Sequence, residues 1–238
     1  MSITSTAFID CRCGARLEVL VADSLNAARH PHLKEALLQR RLHVFTCAAC
    51  ARPLTVEKEL LYVDLERRQF VGLFPARERV RERQHGEALV RAFEQTMLEA
   101  APAGVRALAT SFLVRVAFGY EELREKIVAD DAGLSDLLLE ALKARLLLDD
   151  ASFFAAGVMT LRLDRVLESR DLLFSPEWHD GFRPDDERGQ PFVVERAVYE
   201  GLRAQEAALV ADGRGLTSGP HCSVLRLIDW SGQAAPST

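Results

Sequence analysis

The sequence is poor in the residues that most often announce a specialised chain. Five cysteines among 238 residues are too few for a disulfide-framed secreted scaffold. A chain of this length buries roughly 70% of its unfolded surface and needs no staples to make a core. Aromatics are scarce, with two tryptophans and three tyrosines. Long apolar runs are missing: the stretch Phe153 to Met159 falls far short of the ~18 residues of a membrane span. Neither sign of charge dominates, since 30 basic and 35 acidic residues leave a net −5, and this excludes a general polyanion-binding coat. No Gly-x-Ser-x-Gly, His-Glu-x-x-His or Walker loop occurs, so no reaction is legible from a motif. The glycines of Gly213-Arg-Gly215-Leu-Thr-Ser-Gly219 miss dinucleotide spacing and follow a helical pattern, which marks a loop. Met1 to Asp10 has no basic start and no apolar core, so the expectation is a cytoplasmic protein with no membrane attachment.

The remaining pattern predicts an α+β chain in three parts. Residues 1–75 read as a β-rich, zinc-ribbon-like module with an inserted helix. Its strands are Arg16–Val21, Leu42–Phe45, Glu59–Asp64 and Gln69–Phe74, the last two joined by the charged turn Asp64-Leu-Glu-Arg-Arg68. The helix is Pro31–Gln39, with Leu33, Leu37 and Leu38 at helical spacing. Residues 76–150 read as a helical subdomain. It opens on the mixed-charge run Arg77–Arg83, a solvated face, and carries apolar stripes at Leu89, Val90, Phe93, Met97, Leu98 and at Leu134, Leu137, Leu138, Leu142, Leu146. Residues 151–238 read as a small α+β unit. Strands are expected at Val158–Asp164, Asp171–Phe174, Phe192–Val194 and Val224–Asp229, with a helix over Glu195–Ala211. The acidic pairs Asp130-Asp131, Asp149-Asp150 and Asp185-Asp186 fall at helix ends or in loops and read as caps and turns.

Four of the five cysteines come as two close pairs, Cys11-Arg-Cys13 and Cys47-Ala-Ala-Cys50. Four soft thiolates on two short loops are what a closed tetrahedral zinc site needs, so Cys11, Cys13, Cys47 and Cys50 are the candidate ligands of a structural Zn2+. Rival readings are a redox Cys-x-x-Cys, or a histidine among His30, His32 and His43 replacing a cysteine. The redox reading wants a helix N-terminus beside the first thiol, whereas Cys50-Ala-Arg-Pro53 leads into a strand. The fifth cysteine, Cys222 beside His221, reads as a small buried hydrophobe.

The paired cysteines, Asn26, Pro31-His-Leu-Lys-Glu-Ala-Leu-Leu and Leu61-Tyr-Val-Asp64 together resemble the CpXC-type zinc-ribbon family of bacteria. So do Phe118-Gly-Tyr-Glu-Glu-Leu-Arg-Glu-Lys-Ile127 and Gly133-Leu-Ser-Asp-Leu-Leu-Leu-Glu-Ala-Leu-Lys143. The resemblance runs over about residues 8–148 and implies zinc on the same four cysteines, with no reaction attached. Two departures stand out. The usual knuckle of that family is Cys-Pro-x-Cys-Gly, whereas the first knuckle here has a single residue between its cysteines, and the second ends in Ala51, where glycine would allow positive φ.

Three functions follow as expectations. The first is a structural-zinc interaction or scaffold module that binds a protein partner and shows an exposed apolar patch. The second is nucleic-acid binding by the ribbon, where residues 1–75 carry 10 basic and 8 acidic side chains. There Arg40, Arg41, Arg52, Arg67 and Arg68 would meet phosphates while Tyr62 and Phe70 stack on bases. The third is an enzyme built from His179, Asp180, His221 or Cys222, between the helical part and the terminal unit.

Overall fold

The computed structural model describes residues 3–178, 189–204 and 216–227, and the chain divides into two compact units, Met1–Arg124 and Glu125–Thr238. Both mix helices with strands, as the α+β reading requires.

The first unit opens on a hairpin. Strand β1 (Thr4–Asp10) pairs antiparallel with β2 (Arg16–Ala22) in unbroken register, from Thr4↔Ala22 to Asp10↔Arg16. Alternate residues point to opposite faces of a strand, and here one face is half-buried to buried while the other is exposed. After β3 (Ser24–Asn26) comes helix α1 (Pro31–Leu38), with proline in its first turn, where the missing N–H is no loss. A second short hairpin, β4 (Val44–Thr46) and β5 (Pro53–Thr55), follows. Strands β6 (Leu60–Asp64) and β7 (Gln69–Phe74) pair antiparallel across the expected charged turn. That turn closes by the Arg67 N–H donating to the Asp64 carboxylate at 3.0 Å, with Arg68 at φ 56°.

The stretch expected to be mostly helical contains a strand as well. Helix α2 (Glu82–Phe93), one π-helical turn (Glu94–Glu99) and α3 (Ala103–Ala109) are followed by β8 (Leu113–Phe118), which pairs parallel with β7. Helical periodicity on both sides of Leu113-Val-Arg-Val-Ala-Phe118 hides six residues whose strand character comes from tertiary pairing. Within residues 1–124 the main sheet therefore runs β8-β7-β6-β3. Its core packs Phe70, Val116 and Phe118 against Leu89, Phe93 and Met97 of the helical stripe. Gly72 makes this possible: a Cβ there would stand 2.8 Å from the Leu89 side chain. The mixed-charge run is largely paired at the surface, Arg81 with Glu78 and Arg83 with Glu87. Arg79 differs, reaching the buried Glu122 at 2.7 Å and lying over the Phe118 ring.

The boundary between units falls inside α4 (Tyr120–Asp131). That helix gives way at Gly133, φ 65°, to α5 (Asp136–Asp149), whose cap Ser135 accepts the Leu138 N–H. Asp150 likewise accepts the Ser152 N–H at 2.9 Å, in the first turn of α6 (Ala151–Ala155), while Asp149 pairs with Arg145. Strands β9 (Val158–Val166), β10 (Leu172–Trp178) and β11 (Phe192–Val194) form an antiparallel sheet in the order β11-β10-β9. Helix α7 (Arg196–Arg203) and the small pair β12 (Thr217–Ser218) and β13 (His221–Cys222) complete the unit. The apolar core gathers Leu138, Leu142, Leu161, Leu163, Phe174 and Tyr199. The strand expected at Val224–Asp229 is instead a 3-10 turn over Val224–Leu227. Ser223 causes it, since its Oγ accepts the Leu225 N–H and its carbonyl the Arg226 N–H, closing the backbone locally. Asp185-Asp186, the residues after 204 in the expected terminal helix, and residues 228–229 lie outside the described residues.

Polar groups also occupy this second core. The Lys143 ammonium, fully buried, donates to Glu125 at 2.9 Å and to Glu140 at 2.6 Å. Arg162 donates to Glu125 at 3.1 Å and to Glu177, and the Leu163 N–H donates to Glu125 at 2.7 Å. Glu140 accepts the Val224 N–H at 2.6 Å, and Lys126 donates to the Cys222 carbonyl at 2.9 Å. Burial pushes the Glu125 carboxyl up, but Lys143 and Arg162 outweigh it and hold it below the usual range. For Glu140 burial prevails, helped by the Glu125 charge, and raises it.

Candidate metal centre

Each cysteine pair sits at the tip of a hairpin. Cys11 and Cys13 lie between β1 and β2, where the Cys11 N–H donates to the Ala15 carbonyl and the Gly14 N–H to the Cys11 carbonyl, both at 2.8 Å. Cys47 and Cys50 lie between β4 and β5, where the Cys47 N–H donates to Arg52 at 2.9 Å and the Ala51 N–H returns to the Cys47 carbonyl at 2.8 Å. Both tips end on a left-handed residue, Gly14 at φ 88° and Ala51 at φ 58°. Ala51 thus occupies the conformation glycine would adopt without strain.

The two tips face each other and bring all four sulfurs within 4.8 Å of one another. Cys11 Sγ is 3.6 Å from Cys50 Sγ, and Cys13 Sγ is 3.7 Å from Cys47 Sγ. A tetrahedron with metal–sulfur bonds of about 2.3 Å has edges of about 3.8 Å, so this spacing fits a four-coordinate thiolate metal. Cys11 and Cys47 are buried, Cys50 is partly so and Cys13 is exposed. The Ala49 N–H draws the Cys47 thiol down to about 7. At Cys50 the Arg52 N–H pulls the same way, yet desolvation and the three neighbouring sulfurs push the thiol up to about 12. Four thiolates this close repel one another, and a bound cation removes the conflict.

The structure assigns other work to the rival residues. His43, also left-handed at φ 56°, is buried with both ring nitrogens engaged. Nε2 accepts the Ala22 N–H at 2.8 Å and Nδ1 meets the Tyr120 hydroxyl at 2.6 Å; that hydroxyl donates on to the Val56 carbonyl. Burial, assisted by the Lys58 charge, lowers the imidazole to about 4. His30 and His32 pack edge to face on each other and stand apart from the sulfur group. For nucleic-acid binding, the aromatic half of the expectation is corrected: Tyr62 and Phe70 are buried within the sheet, so neither can stack on a base, and Arg40 pairs with Glu121 at 2.9 Å. Of the residues considered for an enzyme, His221 and Cys222 are buried, Cys222 as the apolar-like thiol expected, while His179 and Asp180 lie outside the described residues. A cavity of about 450 Å³ in the second unit is lined by Leu146, Phe153, Pro176 and Phe192, and neither His221 nor Cys222 borders it. No helix among the described residues is long and apolar enough to cross a membrane.

Sequence reasoning missed the His43 latch and the buried charge cluster of the second unit. Neither carried a local signal in the sequence. No curated protein and no solved structure matches the chain. A family model does: that of the CpXC protein covers residues 9–143. With the four-cysteine cluster inside the match, the two findings together suggest metal binding. More than half of the sequence is covered, and the chain belongs to the CpXC protein family.

Proposed function

We propose that this protein is a structural-zinc module whose ribbon binds a protein partner. The observation that carries the metal half is the approach of four sulfurs from two separate hairpin tips to within 4.8 Å. The donor set is all thiolate, which favours zinc among the common divalent ions and leaves no open coordination position for a hydrolytic water. Such a metal works by tying β1–β2 to β4–β5, two hairpins too short to be stable alone. Support for the partner half is the apolar surface on the first hairpin, where Ile3, Phe8 and Leu20 are 61%, 58% and 65% exposed. Phe8 and Leu20 share the exposed face of that hairpin, and large apolar residues side by side on an exposed face are a usual mark of an interaction site. Arg12, Arg16 and Arg52 flank the knuckles, but with the ribbon aromatics buried they give little support to nucleic-acid binding.

Elemental mass spectrometry on tag-free protein, with a thiol count on the same sample, tests the metal half. The expected result is one zinc per chain and one spare thiol, Cys222, that reacts after unfolding. The double variant Cys47→Ser with Cys50→Ser is expected to lose the zinc and loosen the two hairpins β1–β2 and β4–β5, while residues 84–148 keep their helicity. An unchanged melting curve and unchanged metal content in that variant would contradict the assignment.

A further inference from the structure

Strand β1 is the outer edge of a two-stranded sheet, and among the described residues it pairs with β2 alone. The flanking hydrogen bonds fix the phase of the ladder. The Asp23 N–H donates to the Ile3 carbonyl and the Cys11 N–H to the Ala15 carbonyl, so Ile3 and Cys11 belong to hydrogen-bonded pairs. Antiparallel pairs alternate. Ser5, Ala7 and Ile9 therefore spend their backbone groups on β2, whereas Thr4, Thr6, Phe8 and Asp10 turn theirs away from it. The side chains of these same four residues form the exposed face of the strand.

Natural edges are usually blunted by proline, lysine, a bulge or a cover. This one has none of the first three: Thr4-Ser-Thr-Ala-Phe-Ile-Asp10 contains no proline and no cation, and its register is unbroken. By contrast, in the second unit the β9 strand has its Leu163 N–H taken up by Glu125.

We infer that β1 pairs antiparallel with β1 of a second copy of this chain, joining two hairpins into one four-stranded sheet. This names the partner for the interaction reading above and rests on that reading. A two-fold axis through Ala7 sets Thr4 opposite Asp10 and Thr6 opposite Phe8 of the second copy. Those are the residues with free backbone groups, and in that register every outward N–H and C=O of the four finds a partner. The register also separates the only ionisable side chains of the strand, because each Asp10 faces a threonine instead of the other Asp10. On the exposed face Phe8 then lies across from Thr6 of the second copy, whose own cross-strand neighbour is Leu20. The Phe8 side chains of the two copies thus stand diagonally across the seam, within reach for aromatic rings, and each Leu20 lies one strand further out beside Thr6.

The test is sedimentation equilibrium on the full, zinc-loaded chain, with zinc measured on every sample. An interface of this small size is expected to give a mass that climbs from one 26.5 kDa chain toward two over about 5–200 µM. Thr6→Pro deletes only an outward N–H, since position 6 contributes nothing to the β1–β2 ladder, and edge positions tolerate proline. It is expected to leave zinc content and circular dichroism unchanged while shifting the midpoint at least tenfold. Phe8→Lys, at an exposed position, is expected to do the same. A single-chain mass at every concentration, or a dimer that both variants retain, would overturn the inference. Zinc content separates that failure from a failure of the metal site.

Discussion

The two units solve the same electrostatic problem in opposite ways. In Met1–Arg124 four groups of one kind converge: the cysteine sulfurs, which as thiolates all carry negative charge. In Glu125–Thr238 the converging groups are of both signs, with Glu125 and Glu140 held by Lys143 and Arg162 in a core almost without exposure. The second cluster balances itself with side chains of the chain. The first has four like charges to neutralise, and that is the physical reason to assign it a cation. The difference also extends to what each cluster ties together. The sulfurs join two local hairpins, while the buried charges join α4, α5, β9, β10 and the turn after β13, elements spread over about a hundred residues of sequence.

Breaking the self-balanced cluster should have the larger effect on folding. Lys143→Met removes the ammonium that contacts both carboxylates. Two buried acids then lose their shared partner, a situation that costs about 3–5 kcal/mol. Urea unfolding of the variant should show that loss in the transition of the second unit, with zinc content unaffected. A loss under about 1 kcal/mol would mean that the cluster is solvated in solution.

The first unit should respond to acid at His43. Its folded-state pKa, lowered by burial and then by Lys58 to about 4, lies below the ordinary value of about 6.5. The unfolded chain therefore binds the extra proton first as pH falls. Stability from the neutral imidazole is complete above about 6.5 and is lost on going down to about 4, at most about 3.4 kcal/mol in all. Because acid also strips thiolate metals, the clean readout is the imidazole itself. Its NMR titration should centre near 4 in the wild type. A midpoint above about 6 would show that the hydrogen bonds to Ala22 and Tyr120 do not form.

The smallest expected effect sharpens the picture of the knuckles. Ala51 holds φ 58° where the matching residue of the other tip is Gly14 at φ 88°. Ala51→Gly relieves a strain of about 1 kcal/mol, so zinc affinity measured by competition with a chromogenic chelator should rise about fivefold. A fall in affinity would indicate that the stiffness of alanine matters more than its strain.

These contrasts account for what the sequence made legible. The cysteine pairs are local in sequence, so spacing alone announced two turns able to converge, whereas the left-handed backbone at Ala51 was not legible, because alanine there stands where a glycine would have marked it. Helix α1 was marked by Pro31 and its leucine spacing, and the β6–β7 turn by its charges. Strand β8 was hidden because six residues carry little periodicity between two helices. The charge cluster was hidden for a different reason: Glu125, Glu140, Lys143 and Arg162 look like ordinary solvated helix and strand positions until tertiary packing takes water from them. Tyr62 and Phe70, read as available for stacking, lie in strands whose burial depends on the same unseen packing.

The central claim is that the four cysteines enclose one zinc ion. Zinc-edge X-ray absorption on the purified chain measures that first shell directly. The account predicts four sulfurs at about 2.3 Å and no lighter scatterer at bonding distance. A shell containing nitrogen or oxygen, or protein that carries no stoichiometric zinc, would contradict it.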